Sequence, residues 1–318
     1  MKLRGIDFGP VWGASGIQGF FGEGYSFHKV LRPFGLNFNG MTFAAKTTTL
    51  LPQKGFLPLK KDGVTPQELL PSCIIIRFFK GAVLNAVALS GPGARALFED
   101  GRWQKRTQPF FLSFAAVGAT KEKRFLELKG FLSLLKIWLR TCNVAVGLQL
   151  NFSCPNTGVP EFLVEEIKEF LTEASALNIP LVVKLSVLVP PSVAKTIAEH
   201  PACDALSVSN TIPWGALPDE IDWKGLFGTT VSPLARFGGG GLSGRPIFPI
   251  VADWMYAAHL LEIPKPICAG GGVLQESDID LLVALKAEAV SLGSVAILRG
   301  WRVKRLIEYA HTRFAKYA

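Results

Sequence analysis

The chain has 318 residues, 49% of them apolar, and 34 Lys and Arg against 25 Asp and Glu give a formal charge of +9. That apolar share supplies a large core, while five cysteines without regular spacing do not make a disulfide framework. No CxxC pair, His cluster or run near the ~18 apolar residues of a membrane span occurs, and the opening MKLRGIDFGP lacks a signal-peptide core. The expectation is a metal-free protein with no integral membrane span, working in a reducing cytoplasm. The basic residues are scattered, so nucleic acid is not an expected partner; an anionic small ligand or cofactor, or a weak preference for a membrane surface, fits the charge as well.

Residues 8–24 (FGPVWGASGIQGFFGEG) are rich in glycine and aromatics and read as a loop, in which Ala14, Ser15 and Gly16 would let backbone approach a flat ligand. Residues 41–49 (MTFAAKTTT) read as a short buried strand ending in Lys46. An ammonium at the end of an apolar strand is costly unless paired, so Lys46 either faces a ligand or reaches solvent along its stem. Residues 50–72 read as an irregular surface excursion. CIIIRFF (73–79) and GAVLNAVALSGPG (81–93) read as strand and loop, with Asn85 in an apolar setting where its amide needs partners at both ends. PFFLSFAAV (109–117) reads as a strand, with a helix over 121–140.

After residue 159 the pattern alternates regularly. A helix with Glu161, Glu165 and Glu166 near its start is followed by the strand PLVVKLS, which carries Lys184 near its end. Pro190-Pro191 opens a helix, and ALSVSN ends on Asn210-Thr211. GGGGLSG (238–244) and ICAGGGV (267–273) contain Gly240, Gly241, Gly271 and Gly272, turns able to aim backbone N–H groups at an anion. A last strand, AVSLG, ends at Gly293-Ser294 before a C-terminal helix. About eight strand–helix units from residue 40 onward imply an α/β fold with a parallel sheet. Their number favours a single (β/α)8 TIM barrel with an N-terminal Gly-rich segment and surface insertions. The glycine turns then follow strands six to eight, where barrels bind phosphate, and no GxGxxG follows the first strand to suggest a Rossmann domain.

The stretch LQLNFSCPNTG (148–158) begins as a strand and breaks into a loop at Pro155. Asn151, Cys154 and Asn156 thus fall where a strand hands over to a loop, the place where barrels keep their chemistry. A thiol flanked by two carboxamides suits a polar planar ligand that loses a proton. The same residues also fit a buried cysteine with two turn-forming asparagines.

Taken together, NFSCPNT, FAAKTTTL, LNAVALSGPG, VVKLS, SNT, GGLSG, AGGGV and SLGS stand in the order found in dihydroorotate dehydrogenases, and the chain resembles that family from Gly9 to about Gly300. The resemblance implies one FMN-binding barrel domain over residues 1–318 that oxidises dihydroorotate to orotate in pyrimidine biosynthesis. By the same resemblance, Cys154 is the active-site base of a class 1-like member. Asn85, Asn151, Asn156, Asn210 and Thr211 hold the pyrimidine ring and carboxylate. Lys46 and Lys184 contact FMN, Ala14, Ser15 and Gly16 lie beside the flavin ring, and Gly240, Gly241, Gly271, Gly272, Gly293 and Ser294 cradle its phosphate. It further implies a homodimer, with an iron–sulfur, FAD-containing electron-transfer subunit as an added partner. The chain departs from the family in having Gly9, Gly13 and Ala88 where Asn, Asn and Gly are usual. Those departures keep open two alternatives: an FMN oxidoreductase for another dihydropyrimidine, and a flavin-binding paralogue without turnover.

Overall fold

The structure, a computed structural model, describes residues 1–152 and 160–316. Seven parallel strands lie side by side in the order Val11–Gly13, Ala289–Leu292, Ile267–Gly270, Ala205–Val208, Leu181–Leu185, Val146–Asn151 and Phe110–Phe114. The sheet is curled, and residues 42–48 bridge both its edges. Thr42 pairs with Trp12 on one side, and Ala44 and Thr48 pair with Phe111 and Phe114 on the other, all in parallel. Gly13 N donates to Thr42 O at 2.8 Å and Ala45 N to Phe111 O at 2.9 Å, so the segment spends its backbone groups on both neighbours. This is an α/β fold of the TIM-barrel type.

The covering helices form where the sequence pattern predicts. Lys121–Leu139 starts at Thr120, whose hydroxyl accepts from Lys123 N, and buries Leu128, Phe131, Leu132, Leu135 and Trp138 along one stripe. Its Arg124 pairs with the buried Glu166 of the adjoining Pro160–Ser175 helix at 2.5 Å. Pro191–Ala198, Phe248–Leu260, Glu276–Ala284 and Val303–Ala315 complete the outer layer.

The pleat of each strand decides what fills the interior, because alternate side chains point inward. At the N-terminal side the inward positions are Phe111, Val182, Ala205, Cys268 and Ala289, which pack with Leu3, Phe8, Trp12 and Ala44. Phe8 stacks on Phe111 with centroids 4.2 Å apart, and Trp12 lies 4.5 Å from the same ring. Two residues further along the same faces stand Ser113, Lys184, Ser207 and Ser291, and Gln149 stands two beyond Gly147. One pleat therefore carries the interior from hydrocarbon to hydrogen-bonding groups.

Three expectations are corrected. The runs 73–79 and 81–93 contribute no strand to the parallel sheet. Ile74–Arg77 and Ala82–Asn85 form an antiparallel pair that continues into Gly241–Gly244 and Ile212–Pro213 as a separate four-stranded sheet. The cause is length: only Phe78–Gly81 separates the two strands, enough for a tight turn but far short of the dozen residues a parallel crossover needs. Their expected place is taken by Val11–Gly13, inside the segment read as a loop, which pairs with Ala289–Leu292. Likewise Gly241–Gly244, part of a stretch read as a glycine-rich turn, is a strand against Ala82–Asn85.

Gly147 sits under the Phe8–Phe111 stack, and a Cβ there would meet Phe111 Cε1 at 2.5 Å and Phe8 Cζ at 3.3 Å. Gly147→Ala is accordingly expected to cost about 1–3 kcal/mol from overpacking, read as a lowered denaturant midpoint. An unchanged midpoint would show that the aromatic plug yields freely.

Candidate active site

A cavity of about 500 Å³ opens at the C-terminal ends of the parallel strands, roofed by the antiparallel sheet. Every described residue of the expected site lines it: Ala14, Ser15 and Gly16 at one side, Lys46 and Lys184, the amides Asn85, Asn151 and Asn210 with Thr211, and the turn residues Gly240, Gly241, Gly271, Gly272, Gly293 and Ser294. Cys154 and Asn156 lie outside the described residues.

A hydrogen-bond chain of fixed polarity crosses the cavity. Ser15 Oγ donates to Ala45 O at 2.8 Å, which leaves only its lone pairs for Thr47 Oγ1, 2.9 Å away. Thr47 must then donate to Ser15 and accept from both Asn151 Nδ2 (3.0 Å) and Ser113 Oγ (2.9 Å). Asn151 Oδ1 accepts from Asn210 Nδ2 at 2.8 Å, and Asn210 Oδ1 accepts from Thr211 N at 3.1 Å. Backbone groups anchor both ends, so neither amide can flip without breaking the series. Asn151 and Asn210 each keep one N–H and one lone pair for a ligand. Asn85 is held from the roof, where its Nδ2 donates to Gly241 O at 3.4 Å.

The two lysines supply positive charge in a desolvated setting. Lys46 Nζ donates to Ser90 O at 2.5 Å and lies 4.8 Å from the centroid of the Phe20 ring. Burial pulls its pKa down to about 7, slightly opposed by Glu23. Burial lowers Lys184 to about 8, with Cys268 a small counter-effect. No carboxylate of the described residues forms an ion pair with either lysine, so both would gain from an anion in the cavity. The glycine turns suit a group pressed against backbone. Gly271 and Gly272 have φ of +118° and +82°, and a Cβ on Gly272 would meet Gly244 O.

Sequence reasoning passed over Thr47, Tyr25, Ser209 and Ser291, which also line the cavity. Alternation along AVSLG could have found Ser291, two residues beyond the inward Ala289. Thr47 follows Lys46 in a segment of isolated bridges rather than a regular ladder, and periodicity gives no warning of its inward turn.

A TIM-type barrel with amides, desolvated lysines and glycine turns at its strand C-termini is the layout of an enzyme that grips a planar anionic ligand and a phosphate-bearing group. The family model described as dihydroorotate dehydrogenase matches residues 9–309. The chain belongs to the dihydroorotate dehydrogenase family. It is 30% identical over 320 residues to dihydroorotate dehydrogenase A (fumarate) of Lactobacillus helveticus, covering 97% of this chain and 91% of that one. With the catalytic subunit of dihydroorotate dehydrogenase B (NAD(+)) of Caldicellulosiruptor saccharolyticus it shares 29% identity, covering 93% and 87%. The crystal structure of the Eimeria tenella enzyme in complex with ferulenol matches the fold with a TM-score of 0.69 at 17% identity, over all of this chain and 84% of that one.

Removing the Thr47 hydroxyl strands the Asn151 amide. Thr47→Val should cost about 1–3 kcal/mol of unfolding free energy, with Thr47→Ser close to wild type; equal losses in both variants would assign the effect to packing. The lysines predict a pH response as well. Their folded pKa values lie below the ordinary value near 10.5, so above pH 7 the unfolded chain holds more protons than the folded one. Stability of the ligand-free protein should therefore rise as the pH climbs from about 7 toward the ordinary lysine value near 10.5, and Lys46→Met should flatten the rise in thermal melts.

Proposed function

We propose that this protein oxidises dihydroorotate to orotate with FMN as its cofactor, as a step of pyrimidine biosynthesis. Family membership over residues 9–309 supports the reaction. The observation that carries the site assignment is the convergence of three amides, two desolvated lysines and the glycine turns on one cavity. When bound, FMN supplies the acceptor for the hydride leaving C6 of the substrate. Cys154 takes the C5 proton from the opposite face. A free thiol ionises near ~8.5, so proton removal should quicken as pH approaches that value.

Asn85, Asn151, Asn156, Asn210 and Thr211 hold the pyrimidine ring and its carboxylate, and the polarity fixed through Thr47 decides which edge of Asn151 and of Asn210 meets the ring. Lys46 and Lys184 contact the flavin, and their ammonium groups offset the negative charge of cofactor and substrate where solvent does not screen it. Ala14, Ser15 and Gly16 flank the ring, while Gly240, Gly241, Gly271, Gly272, Gly293 and Ser294 wrap the phosphate.

The reading extends to the whole molecule. It is one domain over residues 1–318, a (β/α)8 barrel in which residues 42–48 take the second strand position, working in the cytoplasm. It acts as a homodimer with an iron–sulfur, FAD-containing subunit that passes electrons to NAD, the arrangement the segments LNAVALSGPG and GGLSGRPIFPI resemble. The Lactobacillus relative, named for fumarate, favours a fumarate-using homodimer as the second reading.

The test is anaerobic. Dihydroorotate should bleach the flavin absorbance of the purified yellow protein. Cys154→Ser should slow that bleaching by at least about 100-fold while FMN content stays unchanged. A protein bleached only by uracil-type dihydropyrimidines, or by none, would replace this reading with one of its alternatives. Reoxidation by fumarate, by NAD with the partner subunit, or by a quinone then assigns the acceptor.

A further inference from the structure

The net positive charge is not spread evenly over the folded surface. Segments 29–34, 77–80 and 299–305 contain two, two and four Lys or Arg residues and no Asp or Glu. The fold brings the three together. A Cβ on Gly300 would meet Leu31 Cδ1 at 2.9 Å, one on Gly35 would lie 4.0 Å from Trp301 O, and the Phe78 and Trp301 rings stand 6.0 Å apart. Two carboxylates that reach the 299–305 segment are already engaged, Glu276 by Arg305 and Glu308 by Lys304. Arg77 and Arg302 donate to the carbonyls of Phe227 and Leu274. Lys29, Arg32, Lys80 and Arg299 form no ion pair among the described residues.

The same face carries large apolar side chains standing in solvent. Phe79 is fully exposed at the tip of the Phe78–Lys80 turn, Phe34 is 71% exposed and Val30 55%, and Phe78 and Trp301 are each about half exposed. Aromatic groups this open, ringed by cations, are unusual on a protein surface and mark an interaction site. A second copy of the chain meeting this face symmetrically would set cation against cation, so self-association is disfavoured. Phe79, Phe34 and Val30 have no hydrogen-bonding edge, and they project outward instead of lining a groove, which suits burial in acyl chains better than reading of a nucleic acid.

We propose that this aromatic, net-basic face docks the protein onto an anionic lipid surface. Phe79, Phe34 and Trp301 enter the interfacial layer, while Lys29, Arg32, Lys80 and Arg299 meet the headgroups. The attachment is peripheral and reversible: among the described residues no helix is long and apolar enough to cross a membrane. The proposal is independent of the reaction assigned to the cavity.

Co-sedimentation of the full chain with vesicles of phosphatidylglycerol and phosphatidylcholine, against vesicles of phosphatidylcholine alone, tests it. Binding should require the anionic lipid and fall away at high salt. Phe79→Ser with Trp301→Ser should weaken binding about tenfold, and Arg32→Glu with Lys80→Glu by at least about twentyfold. Melting temperatures and flavin content report folding, and Phe79→Ser alone carries the test if a double variant fails to fold, because that ring packs on little. Absence of sedimentation, or wild-type sedimentation of folded variants, overturns the proposal. So does a face that binds duplex DNA or single-stranded RNA more tightly than vesicles, or a dimer that the same substitutions dissociate.

Discussion

The structure depends on where, along each strand, the inside of the barrel stops being hydrocarbon. Below that level Phe8, Trp12 and Phe111 fill the space so fully that Gly147 is the residue that fits beneath them. Above it, Ser113, Gln149, Lys184 and Ser207 remain nearly free of solvent contact. Polar groups with so little water must bond to one another or to a ligand. The aromatic floor thereby makes the polar layer obligatory, and the polar layer defines the pocket.

Within that layer two kinds of order reinforce each other. The hydroxyl and amide series from Ala45 O to Thr211 N links four strand positions around the ring and leaves each asparagine a single orientation. The lysines contribute the opposite quality, an unsatisfied demand: each ammonium is held where water no longer stabilises it. A ligand entering the cavity meets donors and acceptors already aligned and charges that gain by its arrival. Such preorganisation lowers the reorganisation that binding would otherwise require.

Much of this is legible in the sequence itself. The strands with Asn151, Lys184 and Asn210 announce themselves by apolar runs that end in polar residues, and the glycine turns by composition. What escaped detection has definable causes. Val11–Gly13 is three residues long and embedded among glycines, so no periodicity distinguishes it from a loop. The hairpin of Ile74–Arg77 and Ala82–Asn85 looked like barrel strands because apolar composition carries no direction; the brevity of the intervening turn was the available clue. Thr47 and Ser113 read as ordinary strand residues, since their importance comes from meeting across the ring. Proximity of that kind is a property of closure, and linear spacing does not contain it.

The antiparallel roof has a mechanical implication. Asn85 and Gly241 occupy paired positions on neighbouring strands, and Thr211 precedes the strand paired to the other edge of Gly241–Gly244. An amide at residue 85 and a glycine at residue 241 are thus joined by backbone ladders into a single plank. Asn85, Thr211 and Gly241 therefore reach the cavity from one continuous sheet.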